Sequence, residues 1–302
     1  MKDVIFDHYR EIIPDFPLFL ESLRQPHPVY IRINKLKIDV ESLLHMLGRK
    51  KIYPSRVHPR FDDLWFATGV NSPGKLLEYF LGYIHPQALT SCIVPIILSP
   101  EKSSFVLDMC ASPGGKTSQL AQMMENTGLL IANELYPDRH IPLANTLARL
   151  GVLNTVVTAY QAQEFPMRQR FDFILADVPC SGEGRFRRMD KDGIHPARRD
   201  RSRLLHLQKR IILRGFDLLN EQGEMVYATC TYNPEENEAV VDYLLNERNA
   251  DVLPIKTGFQ HDGGLTDWRN EKYDKRLRAT VRFYPHRVDS VGFFMARIGR
   301  KR

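Results

Sequence analysis

The sequence predicts an α/β protein: a seven-stranded, mostly parallel sheet with helices on both faces, preceded by a small α+β module. Three observations carry this. From residue 105 onward, short apolar runs alternate with helical stretches. Residues 1–80 lack that alternation and are broken by proline and glycine. Two of the apolar runs end on a cysteine, in Asp177-Val178-Pro179-Cys180 and Ala228-Thr229-Cys230. In open α/β sheets ligands gather at the carboxyl ends of the strands, so paired thiols there point to covalent chemistry rather than core filling.

The module at 1–80 starts with a helical stretch. Residues 29–34 (VYIRIN) alternate with period two and read as a strand, and 40–47 form an amphipathic stretch. Pro54, Pro59, Gly69, Pro73 and Gly74 punctuate the remainder of the module. The second domain, 81–302, has expected strands at 105–110, 128–134, 154–160, 171–178 and 225–229. Gly114, Gly115 and Lys116 open a helix to Met124, and Pro137 opens another to Leu150. Residues 279–284 and 292–298 supply the sixth and seventh strands. No helix-length connector separates these two, so an antiparallel edge is expected.

Four cysteines, Cys92, Cys110, Cys180 and Cys230, show no zinc-type spacing, so no metal site is expected. The start lacks a basic cap before a long apolar run, and charge or proline interrupts every apolar stretch. A cytoplasmic, membrane-free monomer with reduced thiols is the expectation, with Cys92 in SCIVPIIL packed as a small hydrophobe. Net charge is +6, yet residues 185–214 alone hold eleven Lys or Arg against three Asp, a local surplus of +8 directly after Cys180. Such a run suits a phosphate backbone, and residues 269–287 with the GRKR terminus add to it.

The loop Asp108-Met109-Cys110-Ala111-Ser112-Pro113-Gly114-Gly115-Lys116-Thr117 joins the first strand of this domain to its helix, with residues small enough for close ligand approach. Glu134, at the end of the next strand, stands where a carboxylate accepts from both ribose hydroxyls of a nucleoside. Gly115-Lys116-Thr117 also matches the end of a P-loop, but its first glycine would fall at Cys110. That reading of an NTPase stands well behind. Cytosine chemistry fits the thiols: a thiolate added at carbon 6 makes carbon 5 enamine-like and able to take a methyl group, after which a base removes the carbon 5 proton. The residues alone leave open which thiol attacks, with Pro179-Cys180 the natural first choice.

DMCASPGGKT, NELYPDR, FDFILADVPCSGEG, VYATCTYNPEENE and VGFFMARI, in this order, resemble the signature motifs of the Sun/Nop family of RNA cytosine-C5 methyltransferases, and YIRINKLK resembles its N-terminal module. The resemblance implies a class I methyltransferase (Rossmann-like) sheet, an RNA-recognition-like module, S-adenosylmethionine as methyl donor, and a folded RNA, tRNA or rRNA, as substrate. It assigns Cys230 as nucleophile, Cys180 to proton removal and product release, and Asp177 to the base and the cofactor. It places Cys110, Ala111, Ser112, Pro113, Gly114, Gly115 and Lys116 around the cofactor, Glu134 on its ribose, Arg139 as a brace and Gln161, where the family usually has an acid, beside adenine. Glu183 in CSGEG stands in place of the more usual threonine. Arg32, Arg185, Arg187 and Arg188 are expected to contact RNA. His85, in YIHPQALTS, faces either the cofactor or a domain junction. A different class, an RNA-binding or assembly factor with a silent methyltransferase fold, has the intact cysteine pair against it.

Overall fold

The computed structural model describes residues 4–70, 72–187 and 201–301. A 3-10 turn (Val4–Tyr9) and helix α1 (Phe16–Ser22) come first. Next along the chain are strand β1 (Tyr30–Ile33), helix α2 (Val40–Arg49), strands β2 (Ser55–His58) and β3 (Phe61–Phe66), helix α3 (Leu77–Phe80) and strand β4 (Ile84–Pro86). The four strands make an antiparallel sheet in the order β2-β3-β1-β4. This sheet runs past residue 80, because β4 closes it against β1 with Ile33 opposite Ile84. Asp39 starts α2 by accepting the Ser42 N–H at 2.8 Å, and Leu43 and Leu47 then pack on Ile31, Ile33 and Ile84.

The larger sheet begins after helix α4 (Leu89–Leu98). Its first half runs β5 (Phe105–Asp108), helix α5 (Gly115–Met123), β6 (Leu129–Asn133), helix α6 (Pro137–Leu150), β7 (Thr155–Thr158) and β8 (Phe171–Asp177). Helix α7 (Arg201–Asp217), β9 (Leu219–Thr229), helix α8 (Glu238–Glu247), β10 (Ala250–Leu253), β11 (Asp262–Gly263), the β12–β13 hairpin (Asp267–Trp268, Glu271–Lys272), β14 (Val281–Phe283), helix α9 (Pro285–Val288) and β15 (Phe293–Arg300) complete it. The order is β7-β6-β5-β8-β9-β15-β14-β11, with β10 paired to β15. Strands β7 to β9 are parallel; β15, β14, β11 and β10 are antiparallel. Each of the seven expected strands is present, β10 and β11 are additional, and β9 starts earlier than expected.

Helix α6 shows why pattern reading works where caps are explicit: Pro137 opens it, and Gly151, in the left-handed conformation at φ 72, closes it. Helices α7 and α8 bury Ile211, Phe216, Val240 and Leu244 on one face of the sheet. Helices α4 and α5 bury Cys92, Ile93, Leu120 and Ala121 on the other. Strand order reverses between β5 and β8, which opens a crevice at their carboxyl ends.

Candidate active site

The loop from Cys110 to Gly114 leaves β5 at that reversal. Asp108, 1% exposed, organises it: its carboxylate accepts from the Thr117 hydroxyl at 2.8 Å and from the Cys110 N–H at 3.4 Å. Burial pushes Asp108 up to about 7, against the pull of the Thr117 hydroxyl. Nothing in the sequence pattern marks a role for this residue. Ser112-Pro113 is a cis peptide, and Gly114 has φ 100, a conformation that disfavours any side chain. A Cβ on Gly114 would press on Thr146 at 3.1 Å, and one on Gly115 would meet His85 Nε2 at 3.1 Å.

Glu134, at the end of β6, is 3% exposed. Its carboxylate accepts the Tyr136 N–H at 3.0 Å and faces the Arg139 guanidinium at 3.3 Å. Arg139 also donates to the Ser112 carbonyl at 2.9 Å, while the Ser112 hydroxyl donates back to the Arg139 carbonyl at 3.0 Å. Arg139 therefore ties the acid to the loop. Gln161, beyond β7, is exposed, and its amide oxygen takes a hydrogen bond from Gln163 at 2.7 Å.

Across the crevice, β8 ends at Asp177. Lys116 donates to its Oδ2 at 2.7 Å and lies 5.2 Å from the centre of the Phe293 ring. Desolvation of the Lys116 ammonium is outweighed by that carboxylate, so its pKa rises. Sequence reasoning assigns both residues to the cofactor but not to each other.

Cys180 and Cys230 extend from β8 and β9 and bring their sulfurs to 3.4 Å. The hydrogen bond from Cys180 lowers the Cys230 pKa, with help from Lys116 and Arg185 and against desolvation and Asp177. The same bond, with burial, raises Cys180. Of the two sulfurs, Cys230 is the one whose surroundings favour the thiolate. Cys110 is held well above the usual thiol range by burial and remains a small lining group. Cys92 is pushed up to about 12 in the core, 1% exposed.

The expectations for Arg32, for Arg187 and for part of the second basic stretch need correction. Arg32 is wholly buried and donates to Ser118 Oγ at 2.7 Å, to Gln122 and to the Gly115 carbonyl at 3.5 Å, so no phosphate reaches it. It fastens β1 to α5. Arg187, 1% exposed, donates to the Ser290 carbonyl at 3.0 Å and is likewise internal. In the second basic stretch, Arg282 is 2% exposed against Glu238, while Arg276 and Arg287 pair with Asp251, Asp274, Asp15 and Asp262. These three cations pair with the protein's own acids, while Arg269, Lys272, Lys275 and Arg278 of the same stretch are exposed. Arg188 and the basic residues up to Arg199 lie outside the described residues. Arg185 is exposed on the turn after Cys180, with its carbonyl 3.0 Å from His27 Nε2.

His85 takes the junction role on one edge: Nδ1 accepts from Arg149 at 3.0 Å. Its other edge lies against Gly115, behind the loop. Burial, with Arg32 and Arg149 nearby, pushes His85 down to about 3, so it is neutral at ordinary pH.

Among the described residues no cluster of three His, Cys, Asp or Glu side chains is placed to hold a metal, and no helix is long and apolar enough to cross a membrane. The mostly parallel sheet, the glycine loop after β5 and the acid closing β6 define a class I methyltransferase. Over residues 95–299 the chain matches the family described as 16S rRNA methyltransferase RsmB/F, and it belongs to that family. A tRNA (cytosine(49)-C(5))-methyltransferase from Pyrococcus abyssi is 35% identical over 291 residues, covering 96% of this chain and 94% of that protein. The human 28S rRNA (cytosine(4447)-C(5))-methyltransferase is 36% identical over 300 residues, 93% of this chain. The chain spans 36% of the human protein's length and 38% of that of a mouse relative. A crystal structure of a methyltransferase homolog protein from Pyrococcus horikoshii superimposes with a TM-score of 0.85 at 32% identity, covering 98% of this chain and 93% of that one.

Proposed function

We propose that this protein is an S-adenosylmethionine-dependent RNA cytosine-C5 methyltransferase acting on tRNA or rRNA. The observation that carries the reading is the pair of thiols from adjacent strand ends, 3.4 Å apart, with the lower pKa on Cys230. The residues fit the cofactor: Glu134, buried at the end of β6 beside the glycine loop, keeps lone pairs on both oxygens for ribose hydroxyls. Cys110 to Lys116 would hold it, with Glu134 at the ribose; when bound, it supplies an electrophilic methyl group.

The protein's own residues supply the rest. The target cytosine must leave its stack to reach a crevice this deep. The Cys230 thiolate forms a bond to carbon 6, and the electron pair of the carbon 5–carbon 6 double bond moves towards carbon 5. Asp177, fixed by Lys116, faces the ring and favours its protonated nitrogen 3. Once Cys230 is bonded to carbon, the thiolate that held the proton on Cys180 is gone, and Cys180 falls back towards the ordinary thiol range. Carbon 5 uses its electron pair to bond the methyl group that the donor would supply; Cys180, its own proton lost to solvent, then removes the carbon 5 proton as a thiolate, the double bond reforms, and Cys230 leaves. Arg185 is the described cation best placed to meet RNA beside the thiols.

The test is methyl transfer from labelled S-adenosylmethionine to total tRNA and rRNA, followed by bisulfite sequencing of the labelled pool. Cys230→Ala is expected to abolish incorporation, and Cys180→Ala to accumulate an enzyme–RNA adduct that survives a denaturing gel. Binding without incorporation by the unaltered protein would favour a silent RNA-binding factor instead.

A further inference from the structure

The residue after each active cysteine carries a hydroxyl, and the two hydroxyls touch. Ser181 Oγ donates to Thr231 Oγ1 at 2.7 Å, and Thr231 Oγ1 donates to Glu183 Oε2 at 2.9 Å. Tyr9, from the N-terminal turn and 174 residues away in sequence, donates to the same oxygen at 2.9 Å. A one-way run of hydroxyl donors needs an acceptor at its end, and Glu183 is that acceptor. The backbone repeats the grip: the Gly184 N–H donates to the Cys230 carbonyl at 2.9 Å, and the Gly292 N–H to the Gly184 carbonyl at 2.9 Å. Tyr9 and Glu183 are 1% and 8% exposed, so water does not substitute for either.

We propose that Glu183 and Tyr9 are positioning residues of the reaction, which orient the Thr231 hydroxyl and through it hold the Cys180 and Cys230 loops at the separation that couples their thiols. The proposal rests on the cysteine mechanism above. Neither residue touches the sulfurs; both act through Thr231 and Ser181. Burial and the adjacent carboxylate keep the Tyr9 phenol protonated, so it donates throughout the working range. The fixed order of these bonds makes Glu183→Gln the conservative variant, since its amide oxygen still accepts, and Glu183→Ala the disruptive one.

The experiment joins kinetics to a readout that needs no RNA. In the full chain, Glu183→Ala is expected to lower kcat about tenfold, with KM for RNA and methyl donor within about twofold of wild type. Glu183→Gln should recover most of that loss. The pH profile of Cys230 alkylation by iodoacetamide, followed by peptide mass spectrometry, should move upward in Glu183→Ala and return in Glu183→Gln. Tyr9→Phe keeps the ring and should slow turnover severalfold, but should add nothing in the Glu183→Ala background. Wild-type kcat and alkylation in Glu183→Ala would overturn the proposal. So would a loss of kcat that only tracks the folded fraction with the alkylation profile unmoved, or additive effects of the two changes. If the unaltered protein transfers no methyl group to RNA, the functional reading fails, while the alkylation profile still decides whether Glu183 and Tyr9 set the coupling of the thiols.

Discussion

At the Cys230 sulfur a donor thiol 3.4 Å away, a lysine and an arginine act together against burial. Removing the donor in Cys180→Ala should raise the Cys230 pKa, read as an upward move of thiolate absorbance against pH. Because the folded-state value is depressed, the thiolate's contribution to stability is present above the unfolded thiol pKa and is lost as pH falls through the folded one. Asp108 has the opposite sign. Its pKa is raised to about 7, so the folded state holds a proton that the unfolded state releases near 4. Wild-type stability should therefore fall between those values as pH rises, by up to about 1.4 kcal/mol per unit. Asp108→Asn should flatten that slope in urea titrations. Arg32 and Arg185 form a contrasting pair. Arg32→Ala should cost about 3–5 kcal/mol by stranding buried acceptors. Arg185→Ala should leave the urea midpoint unchanged and reduce the salt dependence of RNA binding by about one ion. From sequence, both arginines look alike. A lone cation on a period-two strand reads as solvent-facing, and only the packing of α5 over β1 reveals that Arg32 is internal. Cys180 and Cys230 were legible because strand ends and chemistry both marked them. Glu183 was visible only as an odd residue in a motif, since its partner Tyr9 belongs to a remote segment.

At the scale of elements, the turn after Cys180 is pinned to the end of β9 by backbone alone at Gly184. A Cβ there would stand 2.2 Å from the Gly292 carbonyl oxygen and 3.0 Å from that of Cys230. Neither backbone atom yields easily, so Gly184→Ala should cost about 2 kcal/mol or more in chemical denaturation and lower methyl transfer over tenfold. The central parallel strands were legible in sequence because each carries a short apolar run, such as Val106-Leu107 and Ile174-Leu175-Ala176, buried in the sheet. The early half of β9 was not: the apolar run begins only at Met225, yet the strand starts at Leu219 and continues through Asn220, Glu221, Gln222 and Gly223. β10 escaped notice for a similar reason. Four residues of mixed polarity announce nothing until β15 offers an edge, with Val252 opposite Ile298.

At the scale of the molecule, the N-terminal sheet and the methyltransferase sheet meet through apolar packing, in which Leu64 joins the cluster of Val106, Leu120 and Phe283, and through polar fasteners. Asn34 Nδ2 donates to the Gly82 and Leu150 carbonyls, each at 2.8 Å. Arg149 donates to the Tyr79 carbonyl at 2.8 Å and to His85 at 3.0 Å. With the shared apolar cluster intact, calorimetry should give one transition, and Asn34→Ala with Arg149→Ala should lower its midpoint without splitting it. The N-terminal turn and α1 do not join the small sheet beside them in sequence. Phe6, Tyr9, Phe16 and Phe19 pack instead with Tyr232, Trp268 and Tyr284. This aromatic cluster sets an order of events during synthesis. Residues 6–19 emerge from the ribosome long before 232–284, and their rings have nowhere to settle until those arrive. The Tyr9 hydroxyl thus reaches Glu183 only after nearly the whole chain is made, and a nascent enzyme passes through a stage with both sheets forming and its chemistry still unassembled.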